Sequence, residues 1–450
     1  MSDINRMPLL LNLSRRYVLF MFRRYYGEFI VTGQENIPKK YPVIFAPNHV
    51  NALMDALAVH YIVPRNQVLV FLARADIFKN RKVSQFLNFA KILPAFRMRD
   101  GIENLGNNSK IFDECIEILH NNNSLGIMPE GNQEIERKLR PLVKGIFRIA
   151  FAAQQKYAEI PGVKIVPIGI DYGDIIKSQK HIIINIGKPI EVSEYMKLFA
   201  ENPAKAMNEI RDKLSEDLSA LTLNLATTNK YYGCFETNVD ILQELALENY
   251  NLSDNTFNRY VARQKIAERL VLIEKNNPDQ MVRLSELTVQ LSDLLERLKM
   301  KCSIFSYKEL KWLALIFEIG FCVLTFPVFL TGFLMNVIPF FSPVFIRKYI
   351  LKAEFIGFYS SLHYVLGIIT FPLFYIIQTL LFSFFVSSSW WIVLLFFLIQ
   401  YPIGKMALSW YRKTIKLGAK IRFKQIEKLQ SVQLIEAHNK FNDIVNLVLK

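Results

Sequence analysis

The sequence predicts an α/β, sheet-centred N-terminal domain, a helical middle region and C-terminal transmembrane or re-entrant helices. Strand-length apolar runs alternate with helix-period segments from Gly27 to about residue 190. Leu284, Leu287, Leu291, Leu294 and Leu298 recur at helical spacing in the middle of the chain. Long, nearly uncharged runs then begin after Lys311. These shifts divide the chain into an interfacial amphipathic helix (1–26), a sheet domain (27–200), a helical linker (201–308), a membrane region (309–411) and a basic helical tail (412–450).

The opening segment carries Arg15, Arg16, Arg23 and Arg24 inside an apolar run and has no small-residue cleavage site, so it does not read as a signal peptide. It reads either as an interfacial helix whose arginines face phosphates or as a helix packed on the next domain. Strands are expected at Val43–Ala46, Gln67–Ala73, Leu125–Met128, Lys164–Ile170 and His181–Ile186. Helices are expected at Asp55–Tyr61, Val83–Lys91, Ser109–His120 and Pro141–Tyr157, with Pro141 in a first turn. The leucine series is too short for a sustained coiled coil, so ordinary helix packing is expected, and residues 224–240 read as a loop. Trp312–Ile338, Phe355–Val386 and Trp390–Gly404 are each membrane candidates. Basic clusters lie on both sides of the first run, which favours a dip and return near Pro327 over a simple span. Glu318 and His363 fall at membrane depth and need partners or a boundary position.

The formal charge is +15, and the basic residues flank apolar stretches. That placement suits anionic membrane phospholipids and argues against a nucleic-acid groove. Cys115, Cys234, Cys302 and Cys322 have neither disulfide nor zinc-site spacing, so no metal is expected.

Four clusters carry chemistry. Asn48-His49 follows a strand and precedes Asp55 at a helix start. A histidine there can take a proton from a hydroxyl while the aspartate holds its other ring nitrogen; the plain alternative is a loop histidine near a helix-start aspartate. Leu93-Pro94-Ala95-Phe96-Arg97, with Arg99, offers two guanidiniums to a phosphate, or forms a solvated turn. Met128-Pro129-Glu130-Gly131 ends a strand and is followed by Arg137, Lys138, Arg140 and Lys144, the last suited to an anion. There Glu130 could orient an arginine or a glycerol hydroxyl, and Gly131 allows close backbone approach. Val166-Pro167 ends a further strand and could offer apolar surface.

In this order the blocks resemble the phospholipid/glycerol acyltransferase family, which includes glycerol-3-phosphate and 1-acylglycerol-3-phosphate acyltransferases. The resemblance covers roughly residues 27–200. It implies a glycerolipid acyltransferase domain with His49 as general base and Asp55 as its orienting partner. It also implies that Arg97 contacts glycerol phosphate and that Glu130 and Gly131 complete the acceptor site. Pro129 and Pro167 are implied as structural or acyl-pocket elements. The family implies no bound cofactor and no metal; acyl-CoA or acyl-carrier protein is the co-substrate. Five residues rather than the usual four separate His49 from Asp55, and Asn132-Gln133 stand where Thr-Arg usually follow the Glu-Gly. The extra residue would turn Asp55 by about 100° if the intervening chain were helical, so the turn before the helix must absorb it.

The expected reaction is acyl transfer to 1-acyl-sn-glycerol 3-phosphate, forming phosphatidic acid. Glycerol 3-phosphate or another lysophospholipid is the alternative acceptor, and a membrane lipid-binding scaffold is the non-enzymatic alternative. The protein is expected to be integral to a membrane, with the catalytic domain facing the cytoplasm.

Overall fold

A computed structural model describes the chain except residues 1–3, 6, 40–41, 65–66, 96–101, 157–161, 302–304, 306–309 and 430, and the side chains of 102–108. It divides into two compact units, Met1–Asn224 with Glu354–Ser361, and Leu225–Ala353 with Leu362–Lys450.

The first unit contains, in order, α1 (Leu9–Tyr25), β1 (Glu28–Thr32), β2 (Val43–Pro47), α2 (Ala52–Ile62), β3 (Leu69–Arg74), α3 (Arg81–Phe89), β4 (Ile92–Ala95) and α4 (Ile102–His120). There follow β5 (Ser124–Gly126), α5 (Gly145–Lys156), β6 (Lys164–Tyr172), β7 (His181–Ile186), β8 (Ile190–Glu191), α6 (Met196–Glu201) and α7 (Pro203–Leu221). Among the described residues the strands form one sheet in the order β1-β7-β6-β2-β5-β3-β4, with β8 also on β6. Pairing is parallel except where β6 meets β7 and β8.

Parallel strands covered on both faces read as unbroken apolar runs, and every residue of β2 is buried. Ile44 and Ala46 join Ile146, Phe147, Ile149 and Phe151 of α5 and Ile210, Leu214 and Leu218 of α7 in one core cluster. Side chains alternate along a strand, so Val43 and Phe45 face the other layer. There α1 and α2 pack together, and His60 of α2 lies against the Phe71 ring of β3. Each fully buried Leu, Ile or Phe contributes about 1.5–3 kcal/mol, so this core can hold an exposed sheet edge in place.

Several boundaries differ from the sequence expectation. β1 and β4 were not anticipated, because β1 is only partly buried and β4 contains Pro94. The helix expected from Ser109 begins at Ile102. The helix expected from Pro141 begins at Gly145, because the intervening chain is held extended by a Val143 N–H to Pro129 carbonyl bond of 2.7 Å. The first unit runs on to Asn224, since α7 buries Ala206, Ile210, Leu214 and Leu218 in the sheet-domain core.

Not all four arginines of α1 face outward. Arg15 is buried and donates to the carbonyls of His60 (3.1 Å), Val63 (3.2 Å) and Gln67 (3.2 Å), two of them at the C-terminal end of α2. A cation suits that end of a helix. Phe22 is also buried, while Leu9, Leu10, Leu13, Tyr17 and Phe20 remain exposed.

The second unit contains α8 (Tyr232–Ile241), α9 (Gln243–Asn249), α10 (Thr256–Asn276), α11 (Pro278–Arg297), α12 (Trp312–Leu324) and α13 (Phe326–Phe345). It continues with α14 (Tyr359–Phe385, from Leu362), α15 (Trp390–Lys428) and α16 (Val432–Leu449). Half of the loop expected at 224–240 is therefore α8, whose Phe235 and Val239 are buried. The leucine face of α11 is ordinary packing against α16, α10 and α8.

Segments Phe326–Ile350, Ile356–Phe385 and Trp390–Lys428 are long and apolar enough to cross a membrane. No return occurs near Pro327. The break at Thr325 places that proline in the first turn of α13, where it starts a helix without reversing the chain. Glu318 pairs with Lys420 at 2.7 Å, and Arg347 donates to His363 Nε2 at 3.0 Å, so both ionisable groups have partners.

Candidate active site

β2, β5 and β6 run parallel, and their carboxyl ends bring Asn48-His49, Met128–Gly131 and Tyr172 to one sheet edge. Crevices outside the carboxyl ends of parallel strands are the usual ligand sites of open α/β sheets. Asn48 extends the β2–β6 ladder with its side chain. Its Nδ2 donates to the Ile170 carbonyl at 3.1 Å and its Oδ1 accepts the Ile170 N–H at 2.7 Å. The next residue, His49, is thus fixed by the sheet while leaving it.

His49 Nδ1 lies 2.9 Å from Asp55 Oδ2. The same oxygen accepts the N–H groups of Val50 (2.9 Å) and Asn51 (2.7 Å), and Asp55 Oδ1 accepts the Tyr172 hydroxyl at 2.7 Å. Asp55 is fully buried, and these donors compensate its charge. Burial, then the Asp55 charge, holds the Tyr172 phenol well above its ordinary pKa, so it remains a donor. The longer His–Asp spacing is absorbed ahead of the helix: Ala52, its first residue, has φ +43°. This left-handed backbone is unusual for a residue with a Cβ.

A second bracket grips the His49 peptide group. Glu130 Oε1 accepts the His49 N–H at 2.7 Å, and Arg140 donates to the His49 carbonyl at 3.1 Å. Glu130 Oε2 and Arg140 Nε pair at 2.9 Å, with side chains 2% and 16% exposed. Removing one member of so buried a pair typically costs about 3–5 kcal/mol, and both Glu130 oxygens are engaged, by the His49 N–H and by Arg140. Gly131 follows with φ +69°, and a Cβ there would stand 3.0 Å from Val143 Cγ1.

A cleft adjoins the histidine loop, lined by Asn48, Val50, Glu130, Arg137, Lys138 and Tyr172 among others. Arg137 and Lys138 are the cations it brings beside the loop. Lys144 is exposed just before α5 and is not part of the lining. Arg97 and Arg99 lie outside the described residues. Pro129 is buried, its carbonyl holding Val143. Pro167 is buried in β6 opposite Ala46, where the partner of β6 changes from β8 to β7, and its ring fits against Gly187. Among the described residues no three His, Cys, Asp or Glu side chains are grouped to hold a metal ion.

The sequence reading missed Tyr172, because nothing near it announces a partner on α2. Arg140 was noticed only as part of a basic stretch.

A family model described as Acyltransferase matches residues 28–171, the span that carries His49, Asp55, Glu130 and Pro167. Residues 28–171 are an Acyltransferase-family segment. Within this family, it is related to glycerol-3-phosphate and 1-acylglycerol-3-phosphate acyltransferases. Glycerol-3-phosphate O-acyltransferase 1 of Saccharomyces cerevisiae is 30% identical over 118 residues, 26% of this chain and 15% of that protein. The chain therefore matches only a small part of the yeast relative. A 1-acyl-sn-glycerol-3-phosphate acyltransferase of Borreliella burgdorferi is 27% identical over 213 residues, 43% of this chain and 73% of that protein. The crystal structure of the 1-acyl-sn-glycerophosphate acyltransferase PlsC from Thermotoga maritima aligns with a TM-score of 0.33 at 22% identity, covering 47% of this chain and 80% of that one.

Proposed function

We propose that this acyltransferase moves a fatty acyl group from acyl-CoA or acyl-carrier protein to the hydroxyl of 1-acyl-sn-glycerol 3-phosphate, forming phosphatidic acid. The observation that carries the reading is the His49–Asp55 pair at 2.9 Å, its buried carboxylate held by three further donors. With Nδ1 turned to Asp55, Nε2 is the atom that takes the proton from the acceptor hydroxyl. The oxygen attacks the thioester carbonyl, and the imidazolium, steadied by Asp55, returns the proton to the departing thiolate. The nucleophile is the substrate's own oxygen, so no enzyme nucleophile is needed.

Arg137 and Lys138 are the groups proposed to hold the acceptor's phosphate in the cleft. Arg97, Arg99 and Lys144 are proposed as further anion contacts at its approach, and Gly131 as a close-approach point for the acceptor. The apolar helices would keep the acyl chains in lipid, with the catalytic domain on the cytoplasmic side. Glycerol 3-phosphate is the second acceptor, favoured by the yeast relative and by the five-residue His–Asp spacing.

Thiol release is measured in detergent with palmitoyl-CoA or palmitoyl-carrier protein, each offered lysophosphatidic acid or glycerol 3-phosphate, and the product is weighed by mass spectrometry. Phosphatidic acid from the lyso acceptor is expected, with His49→Ala lowering turnover about 10²–10⁴-fold. Arg137→Gln should raise the acceptor KM about tenfold through loss of one charge-assisted bond. Lysophosphatidic acid formed from glycerol 3-phosphate alone would transfer the protein to the second reading. Lipid binding without thiol release from any pair would leave a lipid-binding scaffold.

A further inference from the structure

Residues Glu354–Ser361 belong to the sheet-domain unit although well over a hundred residues of chain separate them from Asn224. Their contacts fall on the histidine loop. Gln133 Nε2 donates to the Gly357 carbonyl at 2.9 Å and also lies 3.4 Å from the Val50 carbonyl. Ser360 Oγ donates to Asn51 Oδ1 at 2.5 Å, while Asn51 Nδ2 reaches the Ile175 carbonyl at 3.3 Å. Asn51 and Ser360 are each 1% exposed. Gly357 sits in a short turn, Ile356–Phe358, where a Cβ would stand 2.3 Å from Gln133 Nε2 and 2.6 Å from the Phe355 ring.

The two residues gripped are those whose main-chain N–H groups hold the Asp55 oxygen facing His49. Gln133 fixes Val50 through its carbonyl, and Ser360 fixes Asn51 through its side chain. A buried hydrogen bond limits how far either peptide can rotate, and rotation of either would withdraw a donor from Asp55. Gln133 and the lengthened histidine loop are also the two places where this chain departs from the family pattern, and the segment joins them.

We propose that Glu354–Ser361 is a strap that positions the catalytic pair, with Gly357 and Ser360 acting through Gln133, Val50 and Asn51 to hold Asp55 against His49. The strap supplies positioning residues and touches no reacting atom. This rests on the proposed acyl transfer, so its test has one readout that needs turnover and one that does not.

In the full-length protein, Ser360→Ala, Gln133→Ala and Gly357→Val are compared with wild type. The strap predicts a fall in kcat of about tenfold for each, the order expected when an orienting hydrogen bond is lost. KM for the thioester should stay within about twofold, because the strap does not hold the donor. Hydrogen exchange at the Val50 and Asn51 amides should quicken while the β6–β7 amides keep wild-type protection, which separates a loosened loop from an unfolded domain. Wild-type kcat in all three variants, a raised KM with kcat preserved, or unchanged exchange at Val50 and Asn51 would each overturn it. Absence of turnover in wild type with any donor and acceptor would instead sink the acyl-transfer reading, and the exchange comparison would still decide the strap.

Discussion

At the residue scale, the proposed acyl transfer rests on one buried carboxylate. Asp55 receives His49 Nδ1 and two amides on one oxygen and the Tyr172 hydroxyl on the other. Tyr172→Phe keeps the ring packing and removes that last donor, leaving the second oxygen without the bond. A charge-assisted hydrogen bond of this kind contributes about 1.5–3 kcal/mol, so kcat should fall roughly tenfold or more. KM should change little, since the lost bond reaches the proposed catalytic pair from behind. Steady-state kinetics of the variant check this, and a wild-type kcat would mean that the amides alone hold the carboxylate. His49 and Asp55 could be read from the sequence because they lie six positions apart in a recognisable block. Tyr172 could not, since its partner is 117 positions away and only the fold brings them together. Glu130 could be read as an orienting group, but the choice of Arg140 as its partner depended on the extended path of residues 139–143.

At the element scale, α1 is joined to α2 by a buried cation. Arg15 caps the end of α2, and the adjacent His60 ring is enclosed with no hydrogen-bond partner on Nδ1 among the described residues. Burial, and then the Arg15 charge, pushes the His60 pKa down to about 3 from its ordinary value near 6.5. The folded protein therefore stays neutral at this site while the unfolded chain gains a proton, so the contribution is complete above pH 6.5 and is lost as pH falls toward 3. At pH 5 the loss should reach about 2 kcal/mol. Denaturant titration at pH 7 and pH 5 of wild type and His60→Leu checks the sign: the variant should lose less stability on acidification. Equal losses would show that the ring becomes protonated in the folded state. That α1 packs through its arginine was not legible, because an amphipathic Arg-rich helix has the same pattern on a bilayer as on a protein. The strands β2, β6 and β7 were legible within one or two residues, since burial on both faces leaves an unbroken apolar run. β1 and β4 were not, for a half-covered strand and one containing a proline carry weak signals.

At the scale of the whole molecule, the division into sheet domain, helical region and apolar helices was evident from composition alone, but the path of the apolar helices was not. Phe329 stacks on Trp410, Gly332 lies against Ala407 and the Ile403 carbonyl, and Asn336 donates to the Gln400 carbonyl. Earlier, on α12, Glu318 meets Lys420 and the Cys322 carbonyl meets Trp410. Numbers rising along α12 and α13 meet numbers falling along α15, so the pair is antiparallel. Three successive spans would make the first and third parallel. The end of α13 and the start of α15 therefore lie at one end of the pair, and the chain that joins them there carries α14. α14 contains Pro372, and its Tyr375 hydroxyl meets Asn336 while its Thr379 meets Gln400, so polar groups hold it across both neighbours. Charge counting missed this because it assigns sides to clusters of Lys and Arg and carries no information on which helices pair. The arrangement predicts that cysteines placed at Lys348 and Ser388, in a protein whose native cysteines are replaced, share one fate with a membrane-impermeant maleimide in sealed vesicles. Both should label from the same side. Labelling of one from outside and the other only after the vesicles are opened would restore three simple spans and overturn the antiparallel pair.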